Sequence, residues 1–160
     1  MMKKSFAALL AGGMLATAVS AADETRIGVG IGLSNDTTSI RMPIDIAKDL
    51  RIEPEFGIAY VDGDDIDTTN LLIGSGFYLM SQPSSKINLY YGGKLMIDYS
   101  SYDAKGKDDS NTQFDIGGVF GFEYLFDRHF SAGGEAGVYL GLGDSTTFNT
   151  RGMALLRYYF

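Results

Sequence analysis

The sequence predicts an all-β protein, an eight-stranded antiparallel up-and-down β-barrel that spans a membrane. The segment 151–160 alternates a face carrying Arg151 and Arg157 with an apolar face, and it ends on an aromatic residue. The chain contains 21 Gly, 10 Tyr and 10 Phe against only 3 Pro. After residue 22 no apolar run has the roughly 20 residues of a spanning helix, whereas such alternation is typical of strands between lipid and a polar lumen.

The N-terminal segment 1–22 is predicted to be a secretory signal peptide, which leaves 23–160 as one barrel domain. Lys3 and Lys4 provide the positive start, an apolar run follows over 6–19, and small residues allow cleavage after Ala21 or Ala22. A retained membrane anchor is less favoured, because this apolar run is too short to span a bilayer.

Charge and cysteine content exclude several classes of function. The net charge is −7, and the loss of Lys3 and Lys4 with the signal peptide makes it −9. An acidic chain argues against nucleic acid as a partner, because phosphate binding needs clustered Lys and Arg. The absence of cysteine excludes disulfides and thiolate metal sites.

The first three predicted strands, 26–34, 38–46 and 50–60, show clear alternation. In the first, glycines at every second position alternate with Ile27, Val29, Ile31 and Leu33. In the second and third, the residues expected to face lipid are Ile40, Met42, Ile44, Ile46, Ile52, Phe56, Ile58 and Tyr60. Pro43 and Pro54 each remove a hydrogen-bond donor, so we expect a bulge or shortened pairing between these two strands.

Five further strands are predicted at 70–80, 87–99, 112–126, 130–141 and 150–160. The sixth strand of the chain carries an outward apolar face of Phe114, Ile116, Phe120, Phe122, Tyr124 and Phe126. Connections are short at 47–49, 81–86, 127–129 and around Asn35, and longer and polar at 61–68, 100–111 and 141–149. Membrane barrels place short turns at one end and longer loops at the other. Ten strands would leave too few residues for these loops, so we predict eight.

The lumen is predicted to hold charged side chains that pair with one another. Side chains fill the interior of an eight-stranded barrel, and buried charges need partners. We expect Arg157 to lie near Glu135 and Arg26 near Asp45, and the network to close the barrel to solutes; at wet barrel ends, some of these residues would instead be solvated. The predicted lumen charges are Arg26, Arg41, Asp45, Glu53, Glu55, Lys94, Asp98, Asp115, Glu123, Glu135, Arg151 and Arg157.

Two motifs resemble ligand sites only superficially. The alternating glycines at 28, 30 and 32 lack the helix that follows a dinucleotide-binding loop, so no cofactor is expected. The acidic loop after residue 61 lacks the glycine and glutamate of a calcium-binding EF-hand loop, so we expect it to be solvated and predict no metal site. The alternative is a weak Ca²⁺ or Mg²⁺ site, bridging lipopolysaccharide phosphates, formed by Asp62, Asp64, Asp65 and Asp67.

Aromatic residues near the strand ends are expected to form two belts at the membrane interfaces. Packing in a soluble core is a weaker explanation, because nearly all predicted strands have apolar outward faces at once. The belt toward the outside is Tyr60, Tyr99, Tyr102 and Phe114, and the belt toward the periplasm is Phe126, Phe130, Tyr158 and Phe160.

Segments 25–34, 120–139 and 156–160 give the chain a resemblance to a known family. Their strand pattern resembles the small outer-membrane β-barrel superfamily, which includes OmpX-like proteins, opacity-protein adhesins and the transmembrane domain of OmpA. The resemblance implies a monomer in the outer membrane of a Gram-negative bacterium, surrounded by lipid and lipopolysaccharide. It also implies that Leu156, Tyr158 and Phe160 act as an assembly signal for the outer-membrane insertion machinery.

The position of the histidine argues against catalysis. Outer-membrane barrels that are acyltransferases, deacylases or proteases resemble one another in placing a histidine base near the outer leaflet or outer rim. His129, the only histidine of the chain, lies in the 127–129 turn, which the predicted topology places on the periplasmic side. We therefore expect no enzymatic activity.

The expected function is a structural or surface-interaction role, in which the longer loops contact lipopolysaccharide or a host surface, as adhesins do. A narrow porin-like channel is the alternative. A soluble periplasmic β-barrel that binds a lipophilic ligand is a third possibility.

Overall fold

The computed structural model describes residues 25–35, 37–61, 66–104 and 107–160, and within 61–67 and 103–109 it describes the backbone only. The predicted signal peptide lies outside these ranges. The described backbone forms nine strand segments: β1 (Arg26–Leu33), β2 (Thr38–Arg41), β3 (Ile44–Ala47), β4 (Leu50–Val61), β5 (Ile66–Ser84), β6 (Ile87–Ala104), β7 (Lys107–Leu125), β8 (Phe130–Leu142) and β9 (Thr147–Tyr159). No helix among these residues is long and apolar enough to cross a membrane.

The segments form a closed, all-antiparallel barrel. Neighbouring segments pair in chain order, and β1 pairs with β9, Val29 lying opposite Tyr158. Both β2 and β3 lie between β1 and β4, so they are two halves of one interrupted strand. The predicted eight-stranded antiparallel barrel is therefore confirmed.

The interruption between β2 and β3 occurs at Met42 and Pro43. The amide of Met42 donates to the carbonyl of Pro54 at 2.9 Å, and the carbonyl of Pro43 accepts from the amide of Gly28 at 2.9 Å. A register shift follows between Asp45 and Ala47 in the β3–β4 pairing. The expected disruption near the two prolines is present, because neither proline nitrogen can donate to a neighbouring strand.

Several predicted loops are shorter than expected because the hairpins continue past the apolar part of the wall. All described residues of 61–68 and 100–111 are strand: β5 begins at Ile66, and Ala104 of β6 pairs with Lys107 of β7. The predicted 81–86 turn shrinks to Ser85 and Lys86, and the 141–149 loop shrinks to residues 143–146. Polar strand ends outside the apolar belt lack the alternation on which the prediction relied.

The barrel has two distinct ends. The turn end has the connections 48–49, 85–86 and 126–129, together with Arg26 and Tyr159. At the loop end, strand segments end at Leu33, Val61, Ala104 and Leu142, and the next segments begin at Thr38, Ile66, Lys107 and Thr147.

Glycines make room for large side chains inside the lumen. A Cβ atom at Gly121 would overlap the ring of Tyr90, and one at Gly76 would overlap the ring of Tyr78. Both tyrosines are fully buried, and their ring centroids lie 5.0 Å apart. The buried apolar cluster of the lumen comprises Leu72, Tyr78, Tyr90, Met96, Val119, Tyr139 and Leu155.

Candidate functional site

The lumen is lined by charged side chains that are shielded from solvent. This follows from strand alternation, because each strand that exposes apolar residues outward turns its intervening residues inward. Seven of these charged residues are no more than 2% exposed: Arg41, Arg51, Glu53, Lys94, Asp115, Glu123 and Arg157.

A first group of contacts lies toward the turn end and centres on Arg51. Its Nε atom donates to Asp45 Oδ1 at 2.6 Å, and its Nη2 atom donates to the hydroxyl of Tyr159 at 2.8 Å. The Tyr159 hydroxyl donates in turn to Glu123, which also accepts hydrogen bonds from the side chains of Ser131 and Asn88. The group ties strands β3, β4, β6, β7, β8 and β9 together.

A second group crosses the middle of the lumen and centres on Arg41 and Glu135. Arg41 on β2 donates from Nη1 and Nη2 to the two carboxylate oxygens of Glu135 on β8, both at 2.8 Å. The same guanidinium also contacts Glu53 and Glu55 on β4, each at 3.1 Å. Lys94 on β6 forms ion pairs with Glu55 and Glu135. These contacts link opposite sides of the barrel wall and obstruct its centre.

The partner of Arg157 differs from the sequence-based expectation. Arg157 Nη2 donates to both carboxylate oxygens of Glu53 at 2.9 Å, and its Nη1 lies 3.7 Å from Glu123 Oε1. Arg157 lies near Glu135, as expected, since both side chains contact the hydroxyl of Tyr90. The ion-pair partners of Glu135 are, however, Arg41 and Lys94. In the β8–β9 ladder Arg157 lies opposite Ser131 and Glu135 lies opposite Met153, so the two charges are not at the same level.

Arg26 lies opposite Asp45, as expected, but the two side chains bind other groups. The two residues are backbone partners in the β1–β3 ladder. However, Asp45 is bound by Arg51, whereas Arg26 donates to the carbonyl of Arg128 at 2.6 Å and lies 3.7 Å above the ring of Tyr159. Arg26 lies at the open turn end, where its guanidinium reaches the adjacent turn.

A third group lies toward the loop end and centres on Arg151. Its Nη2 atom donates to Asp98 at 2.9 Å and to Asp115 at 2.7 Å. Gln113 donates to the other oxygen of Asp115 at 2.6 Å. Arg151 and Asp98 are about a quarter exposed, so this group is wetter than the other two.

Sequence reasoning missed several residues of the lumen network, among them Asn88, Gln113 and Ser131. Arg51 has the same parity as Glu53 and Glu55 on β4, so alternation alone could have found it. Tyr90 and Tyr159 contribute hydroxyls that contact Glu135 and Glu123. No sequence signal distinguished these two tyrosines from the aromatic residues of the outer surface except their inward parity.

Two cavities remain on either side of the obstructed centre. The cavity open to the loop end has a volume of about 290 Å³ and reaches down to Glu55, Lys94 and Glu135. The depression at the turn end has a volume of about 400 Å³, with Arg26, Lys86 and Arg128 among its lining residues.

The outer surface of the barrel carries a belt of apolar side chains. Ile40 is 59% exposed, Phe120 is 56% exposed, and exposed aliphatic or aromatic residues occur on every strand segment. At the turn end Tyr124, Phe126 and Phe130 pack in a row, with ring centroids 5.3 and 5.5 Å apart. Tyr102 was expected in the outer belt, but it lines the loop-end cavity because it shares the inward parity of Asp98.

The C-terminal segment is fastened to the 126–129 turn. The amide of Tyr159 donates to the carbonyl of His129 at 2.7 Å, and Nδ1 of His129 donates to the carbonyl of Tyr159 at 2.9 Å. The His129 ring also stacks on Tyr158. The residues of the predicted assembly signal point outward and are exposed: Leu156, Tyr158 and Phe160.

The turn before β8 is organised by Asp127. Its carboxylate accepts hydrogen bonds from the amides of Phe130 and His129, both at 2.7 Å. These two bonds stabilise the charged form and lower the pKa of Asp127 below its ordinary value of 3.8.

Metal-site geometry is absent from the described residues, which contain no group of three or more His, Asp or Glu side chains placed to hold an ion. The weak candidates Asp62, Asp64 and Asp65 lie outside the described residues, and the side chain of Asp67 is not described.

Comparisons with known proteins identify the fold. Neisserial surface protein A matches with a TM-score of 0.61 at 17% identity, over 85% of this chain and 94% of that chain. The chain has the fold of small outer-membrane β-barrels. The N-terminal barrel domain of Pseudomonas aeruginosa OprF matches with a TM-score of 0.58 at 12% identity, covering 85% and 96% of the two chains. The attachment invasion locus protein Ail of Yersinia pestis matches with a TM-score of 0.53 at 11% identity, covering 85% and 95%.

No protein-family model matches the chain, and no curated protein matches it at a significant level. The structural likenesses therefore establish the fold and leave the function to be argued from the residues.

Proposed function

We propose that this protein is a monomeric, non-enzymatic outer-membrane barrel with a closed lumen, which stabilises the cell envelope and presents its loop end to lipopolysaccharide or another surface. The observation that carries this proposal is the contrast between the apolar outer surface and the charged, interlocked lumen. A chain with the reverse distribution would fold in water.

The apolar surface supports insertion into a bilayer. Exposed apolar patches on soluble monomers rarely exceed a few hundred Å², whereas here apolar side chains surround the barrel. The pairing of β1 with β9 closes the sheet, so the first and last strands leave no free edge. Closure removes the unpaired edges that hydrocarbon would not tolerate.

The lumen contacts support a barrel that does not conduct solutes. Arg41 on β2 occupies the centre and binds both Glu53 on the neighbouring β4 and Glu135 on β8 across the lumen. Opening a path would require at least one of these ions to lose its partners, which is costly in a buried site.

A narrow channel is the second candidate, and the two cavities favour it. Together they leave the central ion pairs and the contacts around Arg51 between the loop end and the turn end. The charged lumen disfavours the third possibility, a soluble barrel for a lipophilic ligand. Such a ligand would bury the lumen charges against apolar groups, which is costly.

The proposed outer-membrane barrel also implies an orientation in the membrane and a set of partners. Short turns place the turn end in the periplasm, so the loop end faces outward. The exposed side chains of the C-terminal segment form the surface that the insertion machinery would bind during assembly: Leu156, Tyr158 and Phe160. His129 then lies on the periplasmic side, and its imidazole is held by the backbone of Tyr159.

Fractionation of cells that express the full chain tests the location. We expect the protein in the outer-membrane fraction, with gel migration that changes on boiling. Recovery of folded protein from the soluble periplasm would contradict membrane insertion.

Planar-bilayer recording tests closure separately. The closed lumen predicts no stable unit currents from the purified protein. Large, regular conductance steps would instead support the channel.

A further inference from the structure

The loop-end cavity of about 290 Å³, here called the cup, has a mixed lining that the proposed function does not use. Its deep end is formed by Glu55, Lys94 and Glu135, and its upper wall carries Asp98 and Arg151. Between these charges lie the apolar or aromatic side chains of Leu72, Met96, Tyr139 and Met153.

The charges around the cup do not balance. Among the side chains that the structure describes, the carboxylates on the loop side of the lumen are Glu55, Asp98, Asp115 and Glu135, and the cations that contact them are Arg41, Lys94 and Arg151. One negative charge is therefore in excess on this side. A surplus charge in a partly dehydrated cavity is costly unless a counter-charge approaches it.

One carboxylate oxygen of Glu55, at the deep end of the cup, is buried without a hydrogen-bond partner. Glu55 is 4% exposed, and its Oε2 atom is held by Arg41 and Lys94. Its Oε1 atom is buried without a hydrogen-bond partner. The hydroxyl of Ser39 approaches this carboxylate, but neither Ser39 Oγ nor Glu55 Oε1 reaches full hydrogen-bond geometry. Glu55 lines the cup, so a donor located there could satisfy Oε1.

The remaining walls suit a short hydrocarbon chain attached to a cation. Met96 is 2% exposed, and Leu72 and Tyr139 are similarly buried, so they offer apolar contact at mid-depth. Methionine side chains adapt their shape to a slender apolar group. Aromatic rings attract a positive charge at their faces. An isolated metal ion fits less well, because the described residues contain no group of three or more ligands placed around one point.

We propose that the cup binds a small organic cation, a primary alkylammonium, which enters from the loop end. Its ammonium group compensates the surplus carboxylate and donates to Glu55 or Asp98, while its alkyl chain packs against Met96 and Met153. The ligand does not pass through the barrel, because Arg41 and Glu135 close the centre below it. This binding is independent of the proposed structural role.

The test uses the mature protein in detergent micelles and three probes of similar size: butylammonium, butyrate and 1-butanol. Binding is followed by backbone amide NMR shifts, with Met96, Asp98 and Arg151 as reporters. We expect saturable shifts with butylammonium alone. Equal binding of butyrate or 1-butanol, or no saturable shift with butylammonium, overturns the proposal. No saturable shift with butylammonium is the result expected if a proton shared by Asp98 and Asp115 already compensates the surplus carboxylate charge.

Charge variants of the cup give effects in opposite directions, which a loss of structure would not. Asp98→Asn removes the surplus charge and is expected to weaken butylammonium binding at least tenfold. Arg151→Gln adds a second surplus charge and is expected to strengthen it. Asp49→Asn, in the exposed turn before β4, makes the same charge change as Asp98→Asn far from the cup and should leave binding unchanged. Heat-modifiable migration establishes that each variant is folded. Equal affinity in the two cup variants overturns the proposal.

Discussion

Arg41 and Glu135 form two parallel hydrogen bonds of 2.8 Å across the lumen, although 94 residues separate them in the chain. Arg41 is 1% exposed and Glu135 is 6% exposed, so water does not replace these bonds. A guanidinium is suited to this position because its planar fork binds both oxygens of one carboxylate and still reaches Glu53 and Glu55.

Replacement of Arg41 should destabilise the barrel more than replacement of an exposed arginine. Arg41→Met leaves Glu53, Glu55 and Glu135 short of a cation, and loss of one partner in a buried ion pair costs about 3–5 kcal/mol. The free energy of unfolding in urea, measured in lipid vesicles, checks this value. Arg128→Gln in the exposed turn is the control, and its effect should stay within about 0.5 kcal/mol. Equal stabilities of the two variants would show that the central contacts contribute little.

Glycine positions under the lumen tyrosines should not accept a side chain. Gly121→Ala places a methyl group on the ring of Tyr90 and is expected to destabilise the protein by about 1–3 kcal/mol. Gly118→Ala on the same strand is the matched control, since its Cβ would meet no atom within 4 Å. Urea unfolding measures both variants. In the double variant Gly121→Ala, Tyr90→Leu, the steric part of the cost should disappear, and its persistence would exclude the overlap as the cause.

Deletion of Phe160 should slow assembly without preventing it. Phe160 is 77% exposed, and its ring contacts that of Tyr158 at 5.7 Å. The deletion removes the last residue of the proposed assembly signal. Among the described backbone hydrogen bonds, it removes only the one that the amide of Phe160 donates to the carbonyl of Ile27. Folding into vesicles with and without purified insertion machinery, followed by heat-modifiable migration, measures the effect.

The slowing should occur only with the machinery present. Phe148→Ser, another exposed aromatic position at the opposite end of β9, is the control. Equal slowing by both changes, or no slowing by either, would contradict the signal.

The turn before β8 should respond to acid at a pH set by Asp127. Its pKa is lowered in the folded state, so its contribution is complete above the unfolded pKa near 3.8 and is lost as the pH falls through the lower folded value. We expect the amide proton shifts of His129 and Phe130 to titrate together with a midpoint below 3.8. Asp127→Asn should abolish this titration, whereas Asp49→Asn should preserve it. A midpoint above 3.8 would contradict the hydrogen-bonded carboxylate.

The sequence by itself determined on which side of the wall each residue lies. Alternation is a local property of one strand, because successive side chains point to opposite faces whatever the neighbouring strand does. It therefore placed Arg41, Glu53 and Glu135 in the lumen and Phe120 outside before any partner was known. The same rule would have included Arg51.

Only the tertiary structure decided which charges meet. Which charged residues meet across the lumen depends on strand tilt and on the register of every strand pairing between them. A register shift of one residue would change these partners. For this reason Arg157 binds Glu53 rather than Glu135, and Arg51 rather than Arg26 binds Asp45. The length of the hairpins was also decided by backbone pairing, which continues through polar residues to Ala104 and Lys107, where hydrophobic alternation gives no signal.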